Sequence, residues 1–148
     1  MQTPALGTLV HRSFVRVYRG RAEQVAAVRA DLRRLLGDSP LADDVLICAS
    51  ELAANAVRHS ASGEPGGHFT IRADLRPGCW VRIEVKDQGG PWAGPAEDLE
   101  RGHGLDIVRR IAADWGAEGG CRSRAMWALL DWPADGLGPP AEPPGEPA

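Results

Sequence analysis

Three stretches of this sequence carry side chains suited to chemistry. In ELAANAVRHS, residues 51–60, a carboxylate (Glu51) and an amide (Asn55) stand four residues apart, about one helical turn, and the basic pair Arg58 and His59 follows. In VRIEVKD, residues 81–87, strand alternation puts Asp87 on the same face as Val81, Ile83 and Val85, where a carboxylate is costly unless something satisfies it. The glycines behind it, Gly89 and Gly90, allow the backbone to approach a ligand closely. In RGHGL, residues 101–105, Gly102, His103 and Gly104 stand directly before a helix, where free N–H groups form a cradle for phosphate. Each stretch also has an ordinary reading: a helix edge with hydrogen-bonding residues, an Asp capping its own turn, and glycines serving as plain turns.

Two familiar phosphate motifs are excluded. No Gly-Lys-Ser/Thr stretch is present, so there is no Walker A loop, and Ile107 stands where a dinucleotide-binding GxGxxG would have its third glycine. At about 100° per residue, Val45, Ala49, Leu52, Ala53 and Ala56 fall in one arc of a helix. Asn55 and His59 border that arc and Glu51 lies just beyond Asn55, which places the polar groups at the rim of the packed face.

The elements that must position these residues follow from periodicity. Residues 13–18 alternate as a strand, and Val25, Val28, Leu32 and Leu35 mark a helix that Gly37 stops. A second helix is expected from Pro40 or Leu41, with Ser39 as its cap, through residue 60 and ending before Gly63. Phe69, Ile71, Ala73 and Leu75 share one face of a strand that a Pro-Gly turn joins to a second strand at residues 80–90. A glycine- and proline-rich loop of lid length follows to residue 103. A third helix is expected from Leu105, its core side marked by Leu105, Val108, Ala112 and Trp115, and residues 121–132 read as a last strand.

With 148 residues, 43% hydrophobic and 25% charged, the chain reads as one soluble globular domain. A net charge of -3 and the absence of a basic run give no reason to expect nucleic-acid binding. The three cysteines lack CxxC spacing, which suggests neither a disulfide framework nor a zinc site and favours a cytoplasmic location. No signal-peptide pattern and no run of about 18 apolar residues is visible, so no membrane association is expected. The stretch from Pro133 holds half of the 12 prolines and reads as a disordered tail.

Taken in order, the N-box-like ELAANAVRHS, the glycine-box-like VKDQGG and RGHGLDIVRRIAADWG, and the closing RAMWALL resemble the GHKL ATP-binding superfamily of gyrases, heat-shock chaperones and histidine kinases. The nearest likeness is to the small anti-sigma-factor serine/threonine kinases, and it spans about Phe14 to Trp132. The resemblance implies an α+β fold, a two-layer α/β sandwich whose mixed, mostly antiparallel sheet carries helices on one face. It implies an N-terminal segment at residues 1–12, an ATP-binding domain at 13–132 and a tail at 133–148.

By the same resemblance Asn55 coordinates Mg²⁺, and Glu51 is the catalytic base or orients the attacking hydroxyl. Asp87 accepts from the adenine amine, and Gly89 keeps the base pocket open. Gly102, His103 and Gly104 offer lid backbone to the phosphates, and Leu105 anchors the lid. Arg58 or His59 either adds phosphate or metal-shell contacts or, as is commoner for such residues, forms surface salt bridges. Where the family often has a Gly-Lys-Thr-like stretch, this chain has Ser123-Arg124-Ala125, without a Thr-like hydroxyl at Ala125, and its first glycine box is compact. The function implied is an ATP- and Mg²⁺-dependent kinase that phosphorylates an anti-sigma-factor antagonist protein and sequesters a sigma factor, in a family that often forms homodimers. A non-catalytic nucleotide- or partner-binding module is the alternative, and a histidine-kinase catalytic domain acting in trans is a third reading.

Overall fold

The computed structural model describes residues 11–90 and 105–133. The first element, β1 (Arg12–Arg19), leads into α1 (Gln24–Leu36) and α2 (Ala42–His59), and a short 3-10 turn (Ala61–Gly63) follows. The hairpin strands β2 (His68–Arg76) and β3 (Trp80–Asp87) come next, then α3 (Asp106–Ile111), β4 (Asp114–Gly119) and β5 (Arg124–Asp131). The strands form one sheet in the order β1-β2-β3-β5-β4, and each of these pairings is antiparallel. Helices α1 and α2 pack together on one face of the sheet, and α3 packs on α2. The expected two-layer α+β fold is the observed one.

The layers are joined by the alternation legible in the strands. Phe69, Ile71, Ala73 and Leu75 of β2 and Val81, Ile83 and Val85 of β3 are all buried. They meet Val45, Ala49, Leu52, Ala53 and Ala56 of α2 in one core. At the hairpin, Pro77 precedes Gly78, whose φ of 82° suits the third position of a type II turn, and the Cys79 N–H closes on the Arg76 carbonyl at 2.9 Å. On the opposite, open face the Arg82 guanidinium stacks over the Trp127 ring at 5.1 Å. Gly116 makes room for that ring, because a Cβ there would lie 2.7 Å from it.

Three expectations need correction. Helix α2 begins at Ala42, not at Pro40 or Leu41: Ser39 accepts the Leu41 N–H on its hydroxyl at 3.0 Å and the Ala42 N–H on its carbonyl at 3.0 Å, forming a turn ahead of the helix. The third helix stops at Ile111, because Ala112 adopts an extended conformation (ψ 148°) and the Ala113 N–H bonds to the Leu129 carbonyl at 2.8 Å. Trp115 therefore packs against the core from β4, opposite Ala128, in a strand that the apolar helical spacing concealed. The lid residues 91–104, the segment 1–10 and the tail from 134 lie outside the described residues.

Candidate functional site

Helix α2 delivers the polar pair. Its acidic first turn (Asp43, Asp44) and basic last turn (Arg58, His59) both complement the helix dipole. Its apolar face docks on the sheet, and this fixes where the remaining side chains point. Glu51 is half-buried and Arg58 exposed. Asn55 is not at the rim, as the single-helix projection suggests, but 0% exposed. Strand β5 covers that side of the helix: the Asn55 amide nitrogen donates to the Met126 sulfur at 3.4 Å. The Asn55 Oδ1 atom is buried and has no hydrogen-bond partner among the described residues. A buried amide oxygen left without a donor costs about 1–3 kcal/mol. A hard cation that takes oxygen ligands removes that cost, so Asn55 fits Mg²⁺ as a single neutral protein ligand.

Strands β3 and β5 supply the second part. Asp87 and Arg124 are register partners, the two residues only 3% and 1% exposed. Arg124 donates from Nε (3.1 Å) and one terminal nitrogen (3.0 Å) to Asp87 Oδ2, and the same nitrogen reaches the His59 carbonyl at 3.2 Å. Asp87 Oδ1 accepts the Gly89 N–H at 2.8 Å. Burial pushes the Asp87 carboxyl above the usual carboxylate range, against the opposing pull of the Gly89 N–H and the Arg124 charge. The carboxylate on an apolar face is thus satisfied from within the chain.

Sequence reasoning missed Arg124, although its signal was present. Arg124 keeps step with Met126, Ala128 and Leu130, the buried alternate positions of β5. Ala125 lies opposite Lys86, on the other face from the Asp87–Arg124 pair, so the residue facing Asp87 is Arg124 and the missing hydroxyl is not.

The turn after β3 is held by backbone contacts. Gly89 has φ 63°, and a Cβ on it would meet the Gly120 carbonyl oxygen at 2.5 Å; the Gly90 N–H bonds to the Cys121 carbonyl at 2.8 Å. The Gln88 N–H reaches Ser62 Oγ at 3.0 Å, while Ser60 Oγ donates to the Ala56 carbonyl at 2.7 Å, so the ends of α2 and β3 are stitched together. Leu105, 1% exposed, enters the core at the start of α3, and its carbonyl accepts the Arg109 N–H. Gly102, His103 and Gly104 lie outside the described residues. The structure thus gathers Asn55, Asp87 and Arg124 around the junction of α2, β3 and β5.

Residues 18–124 match the model of the histidine kinase-like ATPase domain, a span that contains α2, β3 and α3 entire. The chain belongs to that family. Among solved structures, this histidine kinase-like ATPase domain resembles the crystal structure of the RsbU and RsbW domains of Rv1364c from Mycobacterium tuberculosis, with a TM-score of 0.64 and 19% identity. The match covers 80% of this chain and 32% of that one, and at this identity it carries the fold. Comparison with the curated proteins gives no match. No described helix is long and apolar enough to cross a membrane.

Proposed function

We propose that this domain, residues 13–132, binds ATP with Mg²⁺ and is a serine/threonine protein kinase of the anti-sigma-factor type. The observation that carries this reading is the orphaned Oδ1 of Asn55, one turn along α2 from Glu51. Asn55 would hold the metal, which supplies charge neutralisation at the transferring phosphoryl group. Glu51, less buried than Asn55, would orient the substrate hydroxyl and take its proton as the new oxygen–phosphorus bond forms and the bond from the γ-phosphorus to ADP breaks, its electron pair leaving with ADP. Gly89 shapes the turn behind Asp87, the lid glycines Gly102 and Gly104 with His103 would offer N–H groups to the phosphates, and Leu105 would fix the lid to the core. The substrate would be an anti-sigma-factor antagonist protein and the sequestered partner a sigma factor, in the cytoplasm. Pairing of two copies belongs to the same proposal, and light scattering reads it directly.

Transfer of labelled phosphate from ATP to candidate antagonists tests the reading, with Glu51→Ala as the control. Loss of about 10²–10⁴-fold in rate with nucleotide affinity retained is expected; equal transfer by both proteins removes Glu51 from the chemistry. A second reading, a partner-binding module without catalysis, draws support from the Asp87–Arg124 pair, since the carboxylate at the base end is already engaged. Tight capture of a sigma factor with no phosphate transfer would favour it.

A further inference from the structure

Strand β1 ends the sheet on one side, and its outer edge has no backbone partner among the described residues. The Gly20 N–H bonds to the Gly67 carbonyl at 2.9 Å, which continues the register that sets Tyr18 opposite Phe69 and Arg16 opposite Ile71. In an antiparallel ladder alternate residues bond to the same neighbour, so Phe14, Arg16 and Tyr18 are bonded to β2. The N–H and carbonyl groups of Ser13, Val15 and Val17 therefore point away from the sheet. The free edge stops where the Arg19 carbonyl takes the Arg21 N–H at 2.8 Å. Val15 and Val17 also hold their side chains on the open face, each 58% exposed. The strand has no proline and its pairing runs without a bulge, so its guards against wrong pairing are its arginines.

Those arginines select the partner. Strand β1 carries Arg12, Arg16 and Arg19 and no acid. Arg16 reaches Asp31 yet keeps 54% of its side chain exposed, and Arg12, Arg19 and Arg21 are exposed. A second copy laid along this edge would add another row of arginines without a carboxylate, and like charges across strands destabilise. Alternation puts Arg12 and Arg16 beside the edge on the helical face, and Val15 and Val17 beside it on the open face. The complement is a strand in which acidic and aliphatic residues alternate. At its far end the edge opens into a cleft of about 690 Å³, lined in part by Val17, Arg19, Arg21, Glu64 and His68. Two arginines and a histidine against one acid continue the same preference.

We propose that the free edge of β1, with the cleft at its end, docks an extended segment of a partner protein in which acidic and aliphatic residues alternate. The segment adds a strand to the sheet: backbone bonds to Ser13, Val15 and Val17 hold it, and the arginines choose its charge. A nucleic-acid backbone would meet the arginines but leave the outward backbone groups and both valines unused. Strand β1 holds none of Asn55, Asp87 or Arg124, so this docking site stands apart from the nucleotide reading.

Amide hydrogen exchange of the whole labelled chain tests the proposal. The probes are three seven-residue peptides, namely alternating glutamate and valine, the same composition in two blocks, and alternating lysine and valine, together with an oligothymidine. In the free protein the Val15 and Val17 amides are expected to exchange at least about a hundredfold faster than those of Arg16 and Tyr18. The alternating acidic peptide should slow both valine amides at least about tenfold, and the other probes should not. Val15→Pro removes an outward N–H and spares the ladder to β2, so the protection of Val17 should be lost with an unchanged circular dichroism spectrum. In Arg19→Glu/Arg21→Glu the peptide's affinity should fall at least about tenfold, and this variant decides if the proline variant does not fold. Slow exchange of Val15 and Val17 in the free chain overturns the inference: if independent of protein concentration the chain covers its own edge, and if concentration-dependent a second copy does. Equal protection by the block peptide, the lysine peptide or the oligothymidine overturns it, as does no protection by the acidic peptide at millimolar concentration. Unchanged affinity in the arginine variant overturns it as well.

Discussion

Asn55 and Asp87 are both buried polar side chains, yet they stand in opposite conditions. Asp87 has partners on both oxygens, whereas Asn55 Oδ1 has none among the described residues. Native interiors satisfy nearly all such atoms, so an orphan invites a ligand. Asn55→Ala is expected to lower Mg²⁺-ATP affinity at least about tenfold, measured by calorimetry with and without the metal. Its effect on the free chain should stay within about 1 kcal/mol in a thermal melt, because removing an unsatisfied oxygen offsets much of the small cavity left behind. A second residue-scale expectation concerns thiols. Cys48 is buried in α2, and desolvation with the nearby Asp44 and Glu51 charges pushes its thiol up to about 12, whereas Cys79 and Cys121 are exposed. Thiol reagent at pH 8 should modify two cysteines rapidly and Cys48 only on unfolding. Because the folded-state value lies above the unfolded one, the thiol's contribution to stability is complete below about pH 9. It is lost as pH rises from there toward 12, so the melting temperature should fall across that window.

At the scale of elements, the site depends on helices being held in register with the sheet. Asp31 of α1 receives the Tyr18 hydroxyl of β1 at 2.7 Å and the Arg16 guanidinium, and Tyr18 stacks on Phe69 with ring centroids 5.5 Å apart. Asp31→Ala would leave the buried Tyr18 hydroxyl unpaired and is expected to cost about 1–3 kcal/mol, read from a urea melt. Several elements were legible beforehand for a physical reason. In β2 and β3 one face is core and the other open, so alternation is strict and Asp87 could be placed on the core face. Helix α2 was legible because its apolar arc is continuous. Strand β4 was hidden: Leu105, Val108, Ala112 and Trp115 fit a helical period, and only the pairing of Trp115 with Ala128 reveals that the chain has already turned extended. The burial of Asn55 was hidden likewise, since a helical projection carries no information about the strand that covers it. The Asp87–Arg124 pair lay between: the parity of Arg124 with Met126 and Ala128 is in the sequence, but its partner is 37 residues away and emerges from the β3–β5 pairing.

Across the whole molecule, the two faces of the sheet have separate tasks. One carries the helices, the core and the polar junction of Asn55, Asp87 and Arg124. The other exposes Val15 and Val17 on the edge strand β1 and the Arg82–Trp127 stack. On the proposed function, nucleotide is expected on the helical side, at the last turns of α2 and the start of α3. Backbone amide shift mapping of isotopically labelled protein with Mg²⁺-ATP measures this directly. The expected result is a set of perturbed amides running from Glu51 to His59 and around Leu105, weakened in Asn55→Ala, with Arg82 and Trp127 unmoved. Perturbation centred on the open face, or none at millimolar nucleotide, would contradict the nucleotide site proposed here.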